Sequence, residues 1–319
     1  MKNGIIFTLG FILAFVGWYC LSTVASRLPI PNALFNESVI NKKLEAVESS
    51  SDRSSIFFTG GSNVLFGLSA SQFQQETGIQ SINFGCVAGM GPEMVLHLLE
   101  PRLQKGDKVV MAWEYGLYAH HRSTSVNITY LNLVFGPMAD FFKEMPFRDR
   151  FRLILALPAS QLYEGLCLLL NPYVSEETYQ SYWNIDEYGD CLSNVDQELS
   201  RRELLALPVS GLVKPLEVSE DSKKFFQGFV ERALDNEIEV YATWPNVFGH
   251  PDYIDTEQVV QNCEIIRGFW KGLGVNILGE PKDSFFGAEY IHNTPYHLNL
   301  KGVAKRTRQM SLLLKPILE

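Results

Sequence analysis

The chain has 319 residues, 46% hydrophobic, 20% charged and 12% aromatic, with 27 Lys and Arg against 36 Asp and Glu and a formal net charge of −9. That composition is too apolar for a disordered protein and too mixed for a polytopic membrane protein, and the length suffices to bury a core without disulfide staples. The acidic balance argues against a nucleic-acid partner, because the short basic cluster at Lys301, Lys305, Arg306 and Arg308 reads as the solvated face of a last helix.

From Gly4 to Ala25 there is no charged residue, and a helix of that length spans about 33 Å, close to the hydrocarbon core of a bilayer. Thr23-Val24-Ala25 is a poor exit for signal cleavage, and Cys20 lacks the small residues that precede a lipidated cysteine. Residues 1–25 therefore read as an uncleaved anchor and the lipid bilayer as a partner. With only Lys2 and the terminal amine before it, the anchor predicts a single-pass protein whose N-terminus is cytoplasmic and whose main domain is extracytoplasmic. Residues 26–53, with Pro29 and Pro31, read as a stalk carrying a short helix. Cys86, Cys167, Cys191 and Cys263 follow at spacings that match neither a zinc site nor CxxC chemistry, and both one disulfide and four thiols fit them.

The globular domain is expected over 54–319. SSIFFT (54–59) is a first strand ending in two glycines, followed by a helical pattern from Val64 to Glu76 and a stop at Gly78. QSINFG (80–85) is a second strand, 92–100 a helix opened by proline, and 106–115 a third strand. The alternation then lapses over 116–220, a largely helical insertion in which 131–145 and 149–171 have helical character. The second of these is apolar, but Arg152, Pro158, Gln161 and Glu164 fit a buried helix better than another span. Alternation resumes with a helix over 222–237, strand 238–244, a helix over 257–273, strand 275–278 and a closing helix from Lys301 to Leu314, stopped by Pro316. Strands alternating with helices predict a parallel sheet with right-handed crossovers.

Ligands of open parallel sheets bind outside the carboxyl ends of the strands, so the loops after each strand carry the candidate chemistry. The first is Gly60-Gly61-Ser62-Asn63, the second runs from Gly85 through Gly89 to Gly91, the third follows Glu114-Tyr115, and the fourth is Trp244-Pro245-Asn246. A serine at a helix N-terminus there has the placement of a nucleophile, and equally that of an N-cap. His297, just before the last helix, has the placement of a base. Trp244 is a candidate sugar-stacking wall or a core residue, and the adjacent His120-His121 pair is a weak candidate for metal. No P-loop, dinucleotide fingerprint or H-E-x-x-H occurs, so no cofactor and no metal are expected.

Gly-Gly-Ser62-Asn in the first loop, NFG with a following glycine in the second, and YHLNLKG containing His297 resemble the SGNH (GDSL-like) hydrolase superfamily. The likeness is to its membrane-anchored extracytoplasmic branch, which includes proteins of alginate O-acetylation and teichoic acid D-alanylation. It covers roughly 54–115 and 222–314. The resemblance implies a flavodoxin-like three-layer α/β/α fold, with Ser62 as nucleophile, His297 as general base, and Gly85 or Gly89 with the Ser62 N–H as oxyanion donors. Gly61, Asn63, Glu114, Tyr115 and Trp244 complete the expected substrate-binding set. Two departures stand out. Asn293 occupies the place of the acid that usually precedes the histidine, and the Glu114-Tyr115 pair stands where the superfamily carries an oxyanion-hole asparagine. The implied function is an acyl transferase or esterase, with acetyl the expected group, acting on cell-envelope or exported polysaccharide and supplied by a membrane-embedded acyl-donor protein. The alternative is a non-catalytic glycan-binding or scaffold module of an export complex.

Overall fold

The structure, a computed structural model, describes residues 2–25, 31–50, 53–120, 127–160, 163, 167, 170, 184–194, 200–206, 211–250 and 254–318. The second half of the helix expected over 149–171 falls largely outside the described residues, as does His121. The chain forms two compact units, residues 1–38 with 122–182 and residues 39–121 with 183–319.

The first unit opens with helix α1 (Lys2–Ala25). Its window Gly4–Leu21 is apolar and long enough to cross a membrane, and none of it is buried. Helix α2 (Pro31–Ser49) crosses the boundary between the units. Among its described residues the first unit also carries helices α7 (Ile128–Val134), α8 (Ala139–Glu144) and α9 (Phe147–Ala156). Asn127 caps α7 by accepting the Tyr130 N–H at 2.9 Å. Phe151 of α9 meets two rings of α1, stacked on Tyr19 at 5.9 Å and tilted against Phe15 at 5.7 Å between centroids.

The second unit begins at Val39, inside the segment that reads as a stalk. Val39, Ile40, Ala46 and Val47 are buried, and Lys43 between them is wholly enclosed. Its ammonium donates to the Asn83 carbonyl at 2.8 Å and to the carbonyl of Gly189, which makes this half of α2 part of the globular unit. Burial lowers the Lys43 pKa, and the backbone carbonyls supply the acceptors that a desolvated ammonium requires.

A five-stranded, wholly parallel sheet organises this unit: β1 (Ile56–Gly60), β2 (Ser81–Gly85), β3 (Lys108–Ala112), β4 (Glu239–Thr243) and β6 (Asn276–Leu278), in the order β2-β1-β3-β4-β6. Each expected strand is present. β1 and β2 are buried along their whole lengths, the continuous apolar pattern of a parallel strand covered on both faces. Ile56, Phe58, Val110, Ala112 and Tyr241 pack with Phe73 of α4 (Ala70–Thr77) and with Met310 and Leu314 of the last helix. Phe226 and Trp270 meet at 5.1 Å, and the Trp270 Nε1–H donates to the Tyr118 hydroxyl at 2.9 Å. Two short strands, β5 (Val247–Phe248) and β7 (Phe285–Phe286), pair in parallel as a separate ribbon.

Three helical stretches differ from the expected ones, the first being 131–145, which is broken between α7 and α8. The pattern over 64–76 is split into α3 (Ser62–Leu65) and α4. The Asn83 amide donates to the carbonyls of Val64 and Leu68, and the Ser69 side chain starts α4 afresh by accepting the Gln72 N–H. Gly78 ends α4 at φ +73°, as a left-handed cap does. The last helix runs Leu300–Leu318 with Pro316 inside it. So near the end, the proline forfeits only one intrahelical bond. All five cysteines are free thiols, Cys86, Cys191 and Cys263 buried, Cys20 and Cys167 exposed.

Candidate functional site

The strand order reverses at β1, with β2 on one side and β3 on the other. In an open parallel sheet the loops leaving two strands beside such a reversal part, and a crevice opens at their carboxyl ends. Here those loops are Gly60-Gly61-Ser62-Asn63 and Trp113-Glu114-Tyr115.

Ser62 is the first residue of α3, and its hydroxyl donates to Glu114 Oε1 at 3.3 Å. The Asn63 N–H donates to the same oxygen at 3.0 Å, so the Glu114 carboxyl closes the turn in which the serine sits. A Cβ on Gly61 would lie 2.2 Å from Glu114 Oε2, and only glycine leaves room for the carboxyl there. Glu114 is 5% exposed, and its Oε2 has no hydrogen-bond partner among the described residues. Burial drives its pKa up to about 7, against the opposing pull of the bonds from Asn63 and Ser62. Near neutrality the group is therefore divided between carboxylate and carboxylic acid.

The histidine loop is tied to this turn from behind. The Leu298 N–H reaches the Phe66 carbonyl at 3.3 Å, and the Asn194 amide donates both to that carbonyl at 2.8 Å and to the Leu298 carbonyl at 2.9 Å. Phe66 directly follows α3, so the loop is fastened one helical turn from Ser62. The β5–β7 ribbon braces its other flank, where the Phe248 N–H donates to the Pro295 carbonyl at 2.7 Å and the Asn246 amide to the Tyr296 carbonyl at 2.6 Å. The His297 ring lies against the Phe66 ring, with 4.3 Å between centroids.

Asn293 Oδ1 is 2.7 Å from His297 Nδ1. With the amide oxygen as acceptor, Nδ1 carries the proton and Nε2 keeps its lone pair. Burial, with His292 adding to it, lowers the His297 pKa to about 3, and the imidazole is neutral at physiological pH. The structure thus joins Asn293 to His297 and Ser62 to Glu114, with Phe66 linking the two pairs. The Ser62 hydroxyl bonds to Glu114 and makes no hydrogen bond to His297.

Several expected site residues serve other ends. The Gly85 N–H donates to Asn83 Oδ1 at 2.9 Å, so it is committed and cannot serve as an oxyanion donor. Trp244 is 1% exposed, its Nε1–H bonds to the Gly279 carbonyl at 3.0 Å and the Arg267 guanidinium covers its ring. A ring so enclosed cannot stack on a sugar. Tyr115 and Asn63 are fully buried. Gly89 lies half-buried in the single turn Ala88–Met90 after β2. Asn194, which holds the two loops together, belongs to the insertion, where no pattern in the sequence marks it. The same is true of the β5–β7 ribbon, whose two-residue strands are too short to show a period.

No protein-family profile matches the chain, and no curated protein matches it.

Proposed function

We propose that this chain is a membrane-anchored, extracytoplasmic serine acyltransferase or esterase of the SGNH type, acting on cell-envelope or exported polysaccharide. The observation that carries the reading is the fastening of the His297 loop to the residue that ends the Ser62 helix, through the Leu298 and Asn194 bonds to the Phe66 carbonyl. On this reading the strand order belongs to a doubly wound, three-layer α/β/α domain of flavodoxin-like connectivity, and the Ser62 turn lies at its switch point. Helix α1 crosses the bilayer with its N-terminus in the cytoplasm.

Ser62 Oγ attacks the acyl carbon of the donor while its proton passes to His297 Nε2 and on to the leaving group. The resulting serine ester then yields its acyl group to a sugar hydroxyl or to water, whose proton His297 removes. Asn293 holds the ring in the tautomer this requires. With Gly85 committed, the Ser62 N–H is the oxyanion donor that the serine turn itself supplies. Glu114, half-neutral at pH 7, keeps the serine turn closed without placing a full charge beside the oxyanion. A base as weak as His297 suits an activated acyl donor, such as one handed over by a membrane-embedded partner protein.

One observation favours the second reading, a non-catalytic glycan-binding or scaffold module: the serine hydroxyl is bonded to a carboxyl rather than to the histidine. A serine-directed fluorophosphonate applied to the full chain in detergent separates the two. Labelling that disappears in Ser62→Ala is the result expected of the enzyme. A folded protein that stays unlabelled is the scaffold.

A further inference from the structure

Helix α9 packs on α1 at a level that the span itself defines. The uncharged stretch Gly4–Ala25 of α1 is about 33 Å of helix against a hydrocarbon core of about 30 Å, so little of it is spare length. Tyr19 and Phe15, whose rings meet that of Phe151, lie about 9 Å and 15 Å along the helix axis inside the Ala25 end of that stretch, by the 1.5 Å helical rise. Where α1 crosses a bilayer, Phe151 is consequently at or below the acyl boundary, and α9 cannot stand clear of the lipid.

The side chains of α9 fit that position. Phe147 stacks on Phe151 at 6.1 Å, extending the ring ladder that begins on α1, yet it is 69% exposed. Leu153 and Ile154, one turn further along, are buried within the protein. Arg148, Arg150 and Arg152 interleave with the two phenylalanines, and none of their guanidiniums has a hydrogen bond or ion pair among the described residues. An exposed aromatic beside three guanidiniums without anionic partners is the pattern of a helix lying in the membrane plane, rings in the acyl boundary and arginines reaching the phosphates.

We infer that α9 is a second membrane contact, an in-plane helix that seats Phe147 and Phe151 in the leaflet at the Ala25 end of α1 and binds lipid phosphate through Arg148, Arg150 and Arg152. This rests on α1 spanning the bilayer and is independent of the acyl-transfer chemistry. The occupant is the phospholipid surface, since the face is continuous with the rings of the anchor and carries the charge opposite to that of lipid phosphate.

The test uses the full chain in vesicles of phosphatidylcholine and phosphatidylglycerol. In Phe147→Trp, the added emission is expected to be quenched by lipid brominated near the headgroup end of the chain, less by lipid brominated near its terminus, and to be sheltered from aqueous iodide. Native mass spectrometry of Arg148→Gln/Arg150→Gln/Arg152→Gln should show phosphatidylglycerol retention weakened by about fivefold per guanidinium removed, while Arg148→Lys/Arg150→Lys/Arg152→Lys keeps most of it. Trp18 in α1 reports the anchor: its share of the wild-type bromolipid response is what Trp18→Phe removes. If the emission added by Phe147→Trp is open to iodide and silent to bromolipid while Trp18 responds, the proposal is overturned. A silent Trp18 removes the anchor and the proposal with it.

Discussion

Replacing Glu114 by Gln tests the electrostatics of the serine turn without disturbing its shape. The amide oxygen can still accept from Ser62 and from the Asn63 N–H, and the side-chain volume hardly changes. The wild-type carboxyl has a pKa of about 7 in the fold and an ordinary value of 4.5 when unfolded. Between those values the native state holds a proton that the unfolded state has released, so stability falls as pH rises. Below pH 4.5 the stabilisation of the protonated form is fully present, and above about 7 it is gone. The gap corresponds to about 3 kcal/mol, at about 1.4 kcal/mol per pH unit. His297 acts in the opposite sense. Its pKa is lowered from 6.5 to about 3, so over that window the unfolded state holds the extra proton and stability rises with pH. Between pH 4.5 and 6.5 the two slopes cancel, and the wild type is expected to be nearly flat with respect to this pair. Urea unfolding of the full chain in mild detergent, followed by the near-ultraviolet circular dichroism of the buried tryptophans, measures the balance. Glu114→Gln should uncover a stability that climbs with pH from 4.5 to 6.5, and His297→Gln one that declines there. The difference between wild type and Glu114→Gln should fall by about 3 kcal/mol from pH 4.5 to 7 and stay level outside that range. A difference independent of pH would refute the assignment of a raised pKa to Glu114, and with it the account of how the serine turn avoids a fixed negative charge.

Gly61→Ala forces a methyl into the Glu114 carboxyl and should cost about 1–3 kcal/mol in the same unfolding assay, with a smaller added cost in a Glu114→Ala background; strictly additive costs would contradict the close approach. Lys43→Met keeps the volume but strips the Asn83 and Gly189 carbonyls of their donor, and should cost about 2 kcal/mol; an unchanged midpoint would show that this half of α2 is not held to the sheet by the ammonium. Asn293→Asp places a carboxylate 2.7 Å from His297 Nδ1, raising the pKa of the ring and the rate of p-nitrophenyl acetate turnover. That gain should vanish when Ser62→Ala is added, and equal background rates in every variant would favour the scaffold reading.

The strands and the apolar first helix are legible in the sequence because both are dictated by local pattern. Five short apolar runs bounded by glycine and polar turns become the five strands, and Gly78 stops its helix through a backbone angle that glycine adopts freely. The Asn293–His297 contact joins residues four apart in one loop, a distance over which sequence spacing speaks directly. Where side chains from remote segments compete for backbone groups, the pattern fails. Asn83 splits the helix after β1 by capturing two of its carbonyls, and Lys43 draws half of an expected stalk into the globular unit. Trp244 has the composition of a binding wall and the environment of a core residue. Ser62 and Glu114 stand 52 positions apart, and the partner of the serine hydroxyl depends on strands β1 and β3 being neighbours in the sheet. The sequence by itself determined which segments become strands and where the polar loops emerge, because periodicity and turn chemistry act within a few residues. Only the tertiary structure decided which polar groups meet in those loops and how burial sets their charge, because both depend on neighbours that the chain supplies from far away.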